Sequence, residues 1–130
     1  RNLPYLGFGA GAHGCAQGWR YANVLSPQAY LRRLQQDAPA LPPCSAACAE
    51  RVQVDRPTEM DETMLLGFRL TGEGIRPSGF QARFGEEVEA RYGPRLRRLE
   101  SDGLIERSAN RLRLTRRGRL LGNRVFEAFV

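Results

Sequence analysis

Leu99-Glu100-Ser101-Asp102-Gly103-Leu104-Ile105-Glu106-Arg107-Ser108-Ala109-Asn110-Arg111-Leu112-Arg113-Leu114-Thr115-Arg116-Arg117-Gly118 is the stretch on which the fold turns. Asp102-Gly103 makes a turn into the run Leu104 to Arg107, and Ser108-Ala109-Asn110 makes another into Arg111-Leu112-Arg113-Leu114. Strict alternation bounded by turn residues marks a half-buried strand, so the two runs predict a small hairpin. Thr115 is placed to cap a last helix in which Leu120, Leu121, Val125, Phe126 and Phe129 form a wide apolar stripe.

Three helices are expected upstream of that hairpin. Thr58 with Asp61 resembles a capping box, and Met60, Met64, Leu65 and Phe68 recur at helical spacing until Gly72 and Gly74. Pro77 opens a short second helix bearing Phe80 and Phe84, with Gly85 placed to end it. A third carries Val88, Tyr92, Leu96 and Leu99 on one face, but Gly93-Pro94 lies inside it, where proline kinks a helix or divides it. Three helices, a two-stranded wing and a closing helix make a winged-helix-like arrangement over residues 58–130.

The first part of the chain reads differently. Leu3 to Phe8 is an apolar run compatible with a buried strand, entering the small-residue loop Gly9-Ala10-Gly11-Ala12-His13-Gly14. Ser26-Pro27 starts a helix with Tyr30, Leu31 and Leu34 on its apolar face, running to about Gln36. Residues 37–57 hold four of the eight prolines and little periodicity, and are expected to be a linker. The fold class expected is therefore α+β and mainly helical, a strand-loop-helix arm over residues 1–36 preceding the later domain.

Length and charge bound the function. A chain of 130 residues with 42% hydrophobic and 26% charged residues can bury a core. It carries no apolar run long enough for a membrane span and no secretory signal at its start, so a cytoplasmic location is expected. All 20 basic residues are Arg, so lysine chemistry is excluded, and the net charge of +6 falls almost wholly between Leu104 and Arg124, where seven Arg face one Glu. A basic face on a winged helix suits nucleic acid, but an intramolecular or protein contact to an acidic neighbour is the favoured reading of the charge. The third helix, which would have to enter a groove, balances its Arg with Glu86, Glu87, Glu89 and Glu100.

Three motifs offer chemistry. Gly9 to Gly14 formally satisfies G-x-G-x-x-G, but the dinucleotide fingerprint needs a following helix and an acid about 20 residues on. No acid precedes Asp37, and no βαβ unit follows. His13 is the sole histidine and has no acid or serine beside it in sequence to form a dyad. Cys44 and Cys48 begin a metal-like spacing, yet Arg51 occupies the position of a third thiolate. With Cys15 they make an odd number, which argues for reduced thiols rather than a disulfide framework.

Tyr5-Leu6-Gly7-Phe8-Gly9-Ala10-Gly11-Ala12-His13-Gly14, Arg20-Tyr21-Ala22-Asn23 and Ala29-Tyr30-Leu31 resemble the segment after the catalytic barrel strands of radical-SAM proteins of the oxygen-independent coproporphyrinogen III oxidase family, particularly its heme-chaperone branch. Glu62-Thr63-Met64-Leu65-Leu66-Gly67-Phe68-Arg69-Leu70, Gly74-Ile75, Leu99 to Ile105 and Leu112 to Gly118 are similar to the family's C-terminal winged-helix-like domain. The resemblance implies a C-terminal piece of a protein that uses a [4Fe-4S] cluster and S-adenosylmethionine and either decarboxylates a porphyrinogen or carries heme to acceptor proteins. The family's three-cysteine cluster motif and its His-Asn-x-x-Tyr-Trp heme motif do not occur in these residues, so this piece is expected to hold none of those cofactors and to catalyse nothing alone. Its implied partners are the rest of the barrel, a tetrapyrrole and acceptor proteins, with nucleic acid disfavoured. Four positions match a ligand-contacting segment of the family: Gly9, Gly11, Ala12 and His13, which are implied to border S-adenosylmethionine. No catalytic or metal-binding residue is carried over.

Overall fold

The computed structural model describes residues 2–36, 40–108 and 110–130. The start of the expected linker at residues 37–39 and Ala109 of the hairpin turn lie outside the described residues. The chain divides into two compact units, Leu3–Arg56 and Pro57–Val130 with Asn2. Six helices and two small antiparallel sheets are described, an α+β composition.

The first unit is a three-stranded sheet in the order β1-β2-β3, from β1 (His13–Ala16), β2 (Trp19–Asn23) and β3 (Cys48–Gln53), with α1 (Pro27–Gln35) between β2 and β3. The expected strand over Leu3 to Phe8 is absent. Only Tyr5 pairs, exchanging backbone bonds of 2.8 and 2.9 Å with Cys15. Phe8 is 82% exposed and Leu3, Tyr5 and Leu6 are also exposed, so among the described residues this apolar run is not covered. An extended segment needs a neighbour to satisfy its backbone groups.

The expected linker is also corrected, because its second half is β3, registered from Trp19↔Gln53 to Asn23↔Cys48 with a bulge at Ala22/Asn23. Five of the six residues of β3 are exposed and Cys48 is half-buried, so no apolar alternation announces it. Backbone pairing and Arg51 stacked 4.6 Å over Trp19 hold the strand instead.

Helix α2 (Arg56–Arg69) starts two residues before the expected Thr58 cap and belongs, from Pro57 on, to the second unit. That unit continues through α3 (Pro77–Phe84) and α4 (Val88–Ser101). Pro94 is accommodated inside α4 without dividing it, because Val88, Tyr92, Leu96 and Leu99 lie buried along one face and anchor both halves. Burial of such side chains stabilises by about 1.5–3 kcal/mol each, enough together to outweigh the roughly 3 kcal/mol cost of an interior proline. The hairpin pairs β4 (Ile105–Ser108) with β5 (Arg111–Leu114), and Ile75 bridges to Leu112 on the far side of β5.

The single closing helix is corrected to α5 (Arg116–Leu120), α6 (Gly122–Phe126) and a 3₁₀ turn over Glu127–Phe129. The break falls at Leu121 (φ −110°, ψ 30°), which turns Val125 and Phe129 into the core and leaves Leu120 82% exposed. Thr115 caps α5 as expected, accepting from the Gly118 amide at 2.9 Å. The core joins Phe68, Phe80, Tyr92 and Phe129, whose rings meet at centroid distances of 5.5 to 6.0 Å. Such offset and edge contacts add to the area that these rings bury.

Candidate functional site

Gly9, Gly11 and Ala12 are gathered into one loop between the Tyr5 bridge and β1, and the strand end Asn23-Val24 clamps it. The Asn23 side-chain amide donates to the carbonyls of Gly9 at 3.0 Å and Gly7 at 3.3 Å. Its backbone N–H donates to Ala12 O, and the Gly11 N–H donates to Val24 O, both at 2.9 Å. Two tyrosine hydroxyls complete the frame: Tyr30 accepts from the Gly9 amide at 3.1 Å and Tyr21 from the Gly7 amide at 3.2 Å. Gly9 (φ 102°) and Gly11 (φ 69°) adopt backbone conformations that other residues rarely take.

The amides of Gly9, Gly11 and Ala12 are thus all engaged within the first unit, Gly9 with the Tyr30 hydroxyl, Gly11 with Val24 O and Ala12 with Gly9 O at 3.3 Å. An adenosine-like ligand would meet a wall of bare backbone rather than a cradle of amide donors, and the Cβ that Gly9 lacks would project into open space. Asn23 is 3% exposed, and its Oδ1 is buried without a hydrogen-bond partner among the described residues. His13 departs from the cluster as the exposed first residue of β1, paired with Ala22, so it borders the loop rather than belonging to it.

Sequence reasoning missed the residues that build the loop. Asn23 was the readable signal: an amide side chain ending the run Tyr21-Ala22-Asn23, where a buried strand end would ordinarily be apolar, needs polar partners. Nothing in sequence ties the Tyr30 hydroxyl to Gly9.

Cys44 precedes β3 and Cys48 opens it. Cys44 is buried and Cys48 half-buried, both free, and the Cys48 thiol is pushed up by burial and by the neighbouring Cys44. Among the described residues no three His, Cys, Asp or Glu side chains are arranged to hold a metal.

The arginine-rich hairpin is partly neutralised. Arg107 is bound by Glu89 and by Glu100, the latter at 2.8 Å; burial opposes its charge, but the two carboxylates hold its pKa above the ordinary value. Arg111 donates to Glu73 O at 2.6 Å. Among the described residues no helix is long and apolar enough to cross a membrane.

Comparison with known proteins gives this architecture a family. The chain is 33% identical over 129 residues to the heme chaperone HemW of Bacillus subtilis (strain 168) and 31% identical over 129 residues to that of Lactococcus lactis subsp. lactis (strain IL1403). Each alignment covers 99% of this chain, which spans about a third of those relatives' length (32% and 31%). The fold is similar to coproporphyrinogen III oxidase (HemN) from Escherichia coli, a radical SAM enzyme, with a TM-score of 0.65 at 15% identity over 98% of this chain and 28% of that one. The model of the HemN C-terminal domain matches residues 54–121, from the end of the first unit through the helices and hairpin to the helix break at Leu121, and the chain belongs to that family.

Proposed function

We propose that this chain is the C-terminal part of a radical-SAM protein of heme trafficking or porphyrin biosynthesis, acting in the cytoplasm. Residues 1–36 close the end of a partial barrel, and residues 58–130 form a winged-helix-like domain that covers the barrel mouth. The observation that carries this reading is that identity to two heme chaperones runs over 129 residues, through the glycine loop as well as the helical unit.

Gly9, Gly11, Ala12 and His13 would border S-adenosylmethionine, which supplies radical chemistry when held at an iron–sulfur cluster in the rest of the barrel. The loop's own contribution is steric: Asn23, Tyr21 and Tyr30 fix the backbone so that a ligand can approach it closely and water is excluded from that side. The exposed run Leu3 to Phe8 is the surface through which this unit meets the remaining strands. A nucleic-acid role gains no support from these relatives, and two of the hairpin arginines are engaged within the chain, Arg107 by Glu89 and Glu100 and Arg111 by the Glu73 carbonyl.

The test is made on the longer protein that carries this segment, reconstituted with iron and sulfide. Heme uptake followed by its visible absorption, and transfer to an apo-acceptor, are expected, and deleting residues 58–130 should reduce transfer. Decarboxylation of coproporphyrinogen without heme transfer would assign the oxidase branch. Absence of both activities would refute the proposal.

A further inference from the structure

We infer that the second unit carries a binding site for a small amphiphilic carboxylate, in a cleft of about 380 Å³ between the end of α2 and the α5–α6 break. Arg69, Arg119 and Arg124 line it together with Leu120, Leu121 and Phe126, and no Asp or Glu does. Three guanidiniums around an apolar floor are an arrangement that neither the core nor the hairpin requires.

The break at Leu121 creates the floor. An unbroken helix would carry Leu120 and Leu121 along the stripe with Val125; the break instead leaves Leu120 82% exposed and Leu121 37% exposed, beside the half-buried Phe126. Arg69 stacks 5.0 Å from the Phe126 ring centroid, fixing one charge over the apolar surface. Among the described residues Arg119 and Arg124 form no ion pair with a carboxylate, whereas Arg83 is held by Glu59 and Arg107 by Glu89 and Glu100.

A planar guanidinium matches a carboxylate through two parallel hydrogen bonds, and exposed leucines gain by covering an alkyl or aromatic body. The complementary ligand therefore joins a carboxylate to an apolar moiety. The site lies wholly in the second unit and requires neither the glycine loop nor any cofactor, so its failure would leave the proposed function standing.

Octanoate is the probe, titrated into the whole 130-residue chain below its micellar range and followed by ¹H–¹⁵N NMR. Controls are 1-octanol, acetate and inorganic phosphate. Saturable shifts are expected at Arg119, Leu120, Leu121 and Arg124, with octanol and acetate binding at least about ten-fold more weakly. The double variant Arg119→Gln/Arg124→Gln should weaken octanoate by about ten-fold or more, and Leu120→Gln should weaken it while leaving acetate unchanged. These side chains lie on the exposed face, and an unchanged melting temperature confirms that the variants fold. Shifts spread over arginines outside the cleft, phosphate binding as tightly as octanoate, or unchanged affinity in the double variant would each overturn the inference.

Discussion

Replacing Gly118 by Ala adds one methyl group and should be among the most damaging small changes in the second unit. The new Cβ would lie 1.8 Å from the carbonyl oxygen of Leu104 and 2.8 Å from its carbon. That carbonyl cannot swing aside freely, because it accepts from the Thr115 amide at 3.0 Å, while the Thr115 hydroxyl bonds Gly103 O at 2.7 Å and caps α5 through the Gly118 amide. The backbone must retreat by about 1 Å, which strains the cap and the start of the hairpin together. Overpacking of this kind costs roughly 1–3 kcal/mol, and contact with backbone puts this position at about 3 kcal/mol.

For a unit of this size 1 kcal/mol corresponds to about 4–8 °C, so melting should fall by roughly 12–24 °C. Calorimetry of the parent, Gly118→Ala and Gly79→Ala checks the reasoning. Gly79 lies within α3, and its added Cβ would meet only the Arg76 Cβ at an ordinary 3.7 Å. The same chemical change there should stabilise, by up to about 1 kcal/mol. A melting temperature for Gly118→Ala within about 2 °C of the parent would refute the packing argument, on the same conversion.

Tyr92→Phe removes a buried hydroxyl that donates to Asp61 at 2.6 Å and should cost about 2 kcal/mol near neutral pH, measured by urea unfolding. Burial, reinforced by Asp61, pushes the Tyr92 phenol up to about 12 from its ordinary 10.0. Its folded pKa is above its unfolded one, so this contribution is complete below pH 10 and declines toward pH 12, and Tyr92→Phe should flatten that alkaline decline. Asn23→Ala deletes the amide bonded to Gly7 O and Gly9 O, and it should destabilise the first unit by about 2 kcal/mol. Hydrogen exchange at the Gly11 amide, bonded to Val24 O, should accelerate, and unchanged protection would contradict the clamp. Arg107→Gln should cost less than about 1 kcal/mol despite two carboxylate partners, because all three groups are partly exposed, and 0.5 M salt should remove most of that difference.

The later helices and hairpin were legible because their signals are local. Pro77 and Gly85 bracket α3, and Leu112 and Leu114 alternate with Arg111 and Arg113 as a half-buried strand must. Elements that depend on distant partners were not legible. β3 is a polar, exposed strand held by pairing to β2, and Leu3 to Phe8 has strand composition without a sheet to join. Leu120 and Leu121 are expected in the stripe of one closing helix; burying Val125 and Phe129 takes precedence, and the helix breaks at Leu121. The candidate loop was visible through Gly9 and Gly11, whereas Asn23, Tyr21 and Tyr30, which hold it, act through tertiary hydrogen bonds that spacing does not encode.

The most direct measurement is the affinity of the iron–sulfur-reconstituted longer protein for S-adenosylmethionine, compared between the parent and Gly9→Val. Within this chain the added Cβ would meet nothing within 4 Å, but a φ of 102° strains any side chain at this position, so the isolated variant must first keep the parent's protection of the Gly11 amide before a loss of affinity is assigned to the ligand or the remainder of the barrel. Binding weakened by about ten-fold or more, with the secondary structure of the isolated chain unchanged, is the result that the account predicts. Equal affinity in the two proteins would contradict the placement of this loop at the cofactor.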